Sequence, residues 1–134
     1  MIPLKDDNPT SSKPIVSYGI IGFCVLIFLA QLGLSENELR DFTYSYGLIP
    51  SVLMGIDQLP NDLNRISPIG TIFTSMFMHG GWMHLIGNML YLWIFADNIE
   101  DDLGTLNFVI FYFACGVGAA MSQVLVNINS QIPM

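Results

Sequence analysis

Charge is what this sequence has least of. Asp, Glu, Lys and Arg make up 11% of 134 residues, against 52% hydrophobic residues, and those few charges crowd into a handful of places. That excludes the mixed, charge-covered surface of a soluble domain and reads as a membrane protein. Cysteine is nearly absent as well: Cys24 and Cys115 each fall inside an apolar stretch. There a cysteine behaves as a small apolar residue, so a disulfide framework or a cysteine-based metal site is excluded. Basic residues number four, against 11 acidic ones, and the net charge of −7 points to no nucleic-acid partner. Lys5 and Lys13 precede the first apolar stretch and Arg40 and Arg65 follow it. The basic residues therefore set no orientation in the membrane.

Three windows contain no charged side chain: 15–34, 76–96 and 105–126. At 1.5 Å per residue each covers roughly 30 Å, the hydrocarbon thickness of a bilayer. The expected fold class is an all-α membrane protein with three transmembrane helices. A polar leader, 1–14, precedes a membrane domain over 15–134. The leader's Asp6 and Asp7, the length of the first apolar window and the lack of a small-x-small site after it favour an anchor over a cleaved signal peptide.

The loop between the first two windows, 35–75, is too apolar for a flexible linker. It holds Tyr44, Tyr46, Leu48, Ile49 and Leu53 alongside its charges. The run Tyr46-Gly47-Leu48-Ile49-Pro50-Ser51 reads as a turn into a short helix with Ser51 near its start. A structured loop at the membrane interface is expected.

The second window carries the chemistry. His84 and Asn88 are four residues apart and share one helical face, with Tyr91 three residues on. Polar donors at membrane depth are costly and by default mark function. An imidazole and a carboxamide both donate hydrogen bonds without carrying charge, which suits them to a developing oxyanion in a dry site. The same pair also suits plain interhelical hydrogen bonding, and spacing alone leaves both readings open. His79 and His84 are too far apart for one helical face unless Gly80-Gly81 breaks the helix, and no acidic or thiol ligand stands nearby. No metal and no cofactor is expected. The third window repeats small residues at helical spacing: Cys115 and Ala119, Gly116 and Ala120, Gly118 and Ser122. That pattern reads as close helix packing.

The segment Phe73-Thr74-Ser75-Met76-Phe77-Met78-His79-Gly80-Gly81-Trp82-Met83-His84-Leu85-Ile86-Gly87-Asn88, followed by Ile99-Glu100, Gly104 and the glycine-rich third window, resembles the N-terminal half of the rhomboid family of intramembrane serine proteases. The resemblance covers 46–134, about two thirds of the chain. It implies a bundle of six spans in which a Ser and a His from later spans form a catalytic dyad that cleaves transmembrane protein substrates. It places His84 and Asn88 at the oxyanion and gives His79, Glu100 and Gly104 structural roles. In the family, the stretch that Asn129-Ser130-Gln131-Ile132-Pro133-Met134 resembles leads into Gly-x-Ser-Gly. The single Gly-x-Ser here, Gly33-Leu34-Ser35, lies upstream of both histidines and is not that nucleophile.

The expectation is therefore the N-terminal portion of an intramembrane serine endopeptidase. It carries the oxyanion side of the site without the dyad, and the C-terminal helices of the same bundle are its missing partners. The alternative is a non-catalytic relative that binds client helices. The lipid bilayer is the surrounding partner in either case. The expected location is the plasma membrane of a prokaryote, as a multi-pass protein.

Overall fold

A computed structural model describes residues 13–134; the leader's first 12 residues lie outside that range. Six helices follow one another: α1 (Ile15–Leu32), α2 (Glu36–Tyr46), α3 (Pro50–Leu53), α4 (Pro68–Ser75), α5 (Trp82–Leu103) and α6 (Thr105–Val126). There is no strand among the described residues. Two helices, α1 and α6, are long and apolar enough to cross a membrane, with mean hydropathies of 2.3 and 1.9. The expected second span is different. Residues 76–81 are not helical with the rest of that window, because Met76 closes α4 and Gly80-Gly81 turns the chain. Helix α5 then starts at Trp82 and runs past Ala96 through Asp97, Glu100, Asp101 and Asp102. It is as long as α6, at 22 residues, but its polar stripe and charged end lower its hydropathy.

The described chain forms two compact units. One combines the chain up to Leu29 with His79–Tyr112; the other combines Ala30–Met78 with Phe113–Met134.

In the first unit α1 and α5 run antiparallel, since Ser17 meets Glu100, Tyr18 stacks on Trp93 at 5.4 Å and Phe28 meets Trp82 edge-on at 4.9 Å. The buried residues of α5 are Leu85, Ala96 and Glu100 on one face and Ile94 on the opposite one. Ile86 stays exposed, as does Trp93 despite its stacking on Tyr18. Between α5 and α6 there is one residue, Gly104, with φ +76°. It ends α5, and its carbonyl accepts the Phe108 N–H that begins α6. A side chain at this position would meet no neighbouring atom within 4 Å, so backbone strain alone demands glycine. Gly104→Ala is expected to cost about 1–2 kcal/mol, read as a lower unfolding midpoint in detergent; an unchanged midpoint would show that the turn relaxes freely.

In the second unit the loop 35–75 contains three helices. Ser35 opens α2, and the Glu38 carboxylate reaches back to accept both its hydroxyl (2.6 Å) and its backbone N–H (2.9 Å), which ties the start of the helix to its first turn. The Thr74 hydroxyl on α4 donates to the Tyr46 carbonyl at the end of α2. The core is Leu48, Ile72 and Val124, with Leu53, Val117, Ala120 and Met121 packed against it. Of the three small-residue pairs on α6, Gly116 and Ala120 serve this packing. A Cβ on Gly116 would lie 2.0 Å from the Met76 Cε, so the missing side chain makes room for methionine. Cys115, Gly118, Ala119 and Ser122 remain exposed, and the Ser122 hydroxyl turns back to the Gly118 carbonyl.

Candidate functional site

His79 ends the turn after α4, and His84 lies in the first turn of α5. Gly80 and Gly81 between them carry no side chain to block the reversal, and the two imidazole rings meet with centroids 5.1 Å apart. His79 is buried and His84 is exposed. Among the described residues no group of three His, Cys, Asp or Glu side chains is placed to hold a metal ion.

Asn88 follows one turn after His84 on the same face of α5, and it too is exposed. Neither side chain forms a hydrogen bond to another described residue. Tyr91 continues the stripe, 70% exposed, with its ring against Phe95 at 4.8 Å. The result is a face with an imidazole and a carboxamide one turn apart, both able to donate outward.

Glu100 does something else. It is 1% exposed and lies 16 residues beyond His84, about 24 Å along the helix, too far to share an oxyanion. Its Oε1 accepts the Val16 N–H at 3.1 Å, and its Oε2 accepts the Ser17 N–H at 2.8 Å and the Ser17 hydroxyl at 2.7 Å. Those two amides belong to the first turn of α1, where helix geometry provides no partner. Pro14, just before that helix, has no side-chain oxygen with which to cap it. The carboxylate therefore caps α1 from 83 residues away and places negative charge at the positive end of its dipole. Burial pushes the Glu100 carboxyl up, while the Ser17 N–H, the Ser17 hydroxyl and the Val16 N–H together hold it below the usual carboxylate range. Glu100 lies beyond Ala96, on the charged end of α5.

The structure thus brings His79 to His84, leaves Asn88 beside His84 on the exposed stripe, and sends Glu100 and Gly104 to the other end of α5. Sequence reasoning missed Ser17. The one available signal was that α1 begins after Pro14 with no capping side chain and needs an acceptor from elsewhere.

Three comparisons bear on this arrangement. The Rhomboid domain family model matches residues 68–134, a range that includes the paired histidines, Asn88, Glu100, Gly104 and all of α6. The Arabidopsis thaliana protein described as "Rhomboid-like protein 11, chloroplastic" is 36% identical over 53 residues, which cover 40% of this chain and 19% of that relative. The match thus spans about a fifth of the relative's length. No solved structure matches.

Proposed function

Since the chain belongs to the rhomboid family, we propose that it is the N-terminal portion of an intramembrane serine endopeptidase that cleaves transmembrane protein substrates, with His84 and Asn88 as its oxyanion donors. The observation that carries this reading is the exposed pair itself. Two uncharged donors stand one turn apart on a helix, and neither is bonded to another described residue. The pair is thus free of any role in joining the helices described here, and its donors stay open to a substrate oxygen or to a later helix of the bundle.

In this reading α5 up to Ala96 is the second membrane span in chain order, its apolar sides toward lipid and neighbouring helices and its polar stripe toward the interior of the bundle, with Glu100 beyond the span. When a serine attacks a substrate carbonyl, the negative charge that develops on the oxygen takes hydrogen bonds from the His84 imidazole and the Asn88 carboxamide. His79 supports the His84 ring by contact. Glu100 and Gly104 hold α5 between its neighbours by capping α1 and turning into α6. The protein sits in a membrane as a multi-pass chain; the chloroplastic relative lends no support to the plasma membrane of a prokaryote.

The test is to read the coding DNA past Met134 and to treat the full-length membrane protein with a fluorophosphonate probe. A downstream Gly-x-Ser-Gly whose serine takes the label supports the reading. A full-length protein without a labelled serine would leave a client-helix binder in its place. A polypeptide consisting of residues 1–134 alone is expected to take no label and to cleave nothing, because losing the nucleophile removes nearly all of the rate; labelling of this shorter chain would overturn the assignment of the nucleophile to a later segment.

A further inference from the structure

The segment that leaves α6 is seated on α3 and the residues on either side of it. The Ser51 N–H donates to the Ser130 carbonyl at 3.0 Å, and the Met134 N–H donates to the Leu48 carbonyl at 2.9 Å. The Gln131 carboxamide donates to the Asp57 carboxylate at 2.9 Å. Below these bonds lies Gly47, where a Cβ would stand 2.5 Å from the Thr43 carbonyl oxygen and 2.9 Å from the Pro133 Cβ. The first of those atoms is backbone and the second is part of a proline ring, so neither can move aside as a flexible side chain would. Glycine at 47 is what lets the tail lie this close. Two main-chain bonds four residues apart fix the place and the direction of the backbone, and the Asp57 contact fixes its register.

We propose that α3 with its flanking residues, 47–57, is a clamp that sets the position of the chain emerging from α6, with Gly47, Asp57 and Gln131 as positioning residues for the segment after Met134. This rests on the protease reading above, in which that segment carries the nucleophilic serine. The interfacial loop then governs turnover without touching substrate. Asp57 and Gln131 act through one exposed bond, so they can be altered without disturbing the core of Leu48, Ile72 and Val124.

The experiment uses the full-length protein in native membranes. Gln131→Glu sets two carboxylates against each other and is expected to slow fluorophosphonate labelling and lower kcat about tenfold with KM little changed. The double variant Asp57→Asn with Gln131→Glu recreates an amide-to-carboxylate bond in the reverse sense and is expected to restore the rate. Separately, Asp57→Cys with Gln131→Cys, in a background with Cys24 and Cys115 replaced by Ala, is expected to be bridged by a short bis-thiosulfonate reagent, read by intact mass, and to stay active once bridged. Gly47→Ala is expected to abolish bridging. Failure to bridge, loss of activity on bridging, or a swap that restores nothing each overturns the clamp. A wild-type protein that takes no label sinks the protease reading and the positioning role with it; a labelled wild type in which the swap fails sinks the positioning role alone.

Discussion

Alanine at His84 or at Asn88 in the full-length protein is expected to lower kcat by about 100- to 1,000-fold with little change in KM, the loss typical of removing one oxyanion donor. The split between the two constants follows from where the charge is. A ground-state carbonyl needs these donors little and the tetrahedral oxygen needs them greatly, so the interaction belongs to the transition state. Folding stability provides the control. Neither side chain hydrogen-bonds to another described residue, so Asn88→Ala should shift the unfolding free energy by no more than about 0.5 kcal/mol. His84→Ala also removes the ring contact with His79 and is expected to cost slightly more. If the pair were interhelical glue, stability would fall with activity and the Asn88 variant would show it most plainly. The double variant should lose far less than the product of the single losses, since two donors on one oxygen act as a unit.

That stripe was legible in the sequence because an i, i+4 spacing is a local property of any helix. The bounds of its helix were less so. The uncharged window 76–96 counts missing charges, whereas the helix starts where Gly80-Gly81 turns the chain and ends where Gly104 takes a positive φ. The acidic residues at 97, 101 and 102 do not stop it, since an α-helix tolerates charge wherever the side chains can reach water or a partner. Helix break and ring contact go together: His79 and His84 share no helical face, yet reversal at the glycine pair brings their rings together. Least legible were pairings across long separations. Nothing near Glu100 in sequence identifies Ser17 as its partner, and nothing near Gly47 identifies Pro133. Both contacts depend on helices returning to meet one another, and a periodicity has no term for that. The small-residue pattern on α6 was visible in full, but which of its three pairs faces a neighbour is decided by Met76 and the core around Val124.

Glu100→Ala is expected to be the most destabilising single change in the first unit, costing about 3–5 kcal/mol, because two N–H groups at the start of α1 and the Ser17 hydroxyl lose their acceptor inside the protein. Glu100→Gln should cost about 2 kcal/mol. Its single carbonyl oxygen can still accept from Ser17, but its NH2 then faces the Val16 N–H, donor against donor. The difference between the two variants separates the cap from simple loss of volume. Acid should act on the wild type in the same way. The carboxylate is the form that accepts all three bonds, and its pKa in the folded protein is depressed: burial raises it, and the Ser17 and Val16 donors outweigh that. A depressed pKa contributes stability that is fully present above the unfolded value, about 4.3, and is lost as the pH falls through the folded value. Detergent unfolding midpoints measured from neutral pH down to about pH 3 should therefore fall for the wild type and fall less for Glu100→Gln, which has no proton to gain at this position. Parallel acid curves for the two proteins would show that α1 is held by its packing against Trp82 and Trp93, with the carboxylate incidental.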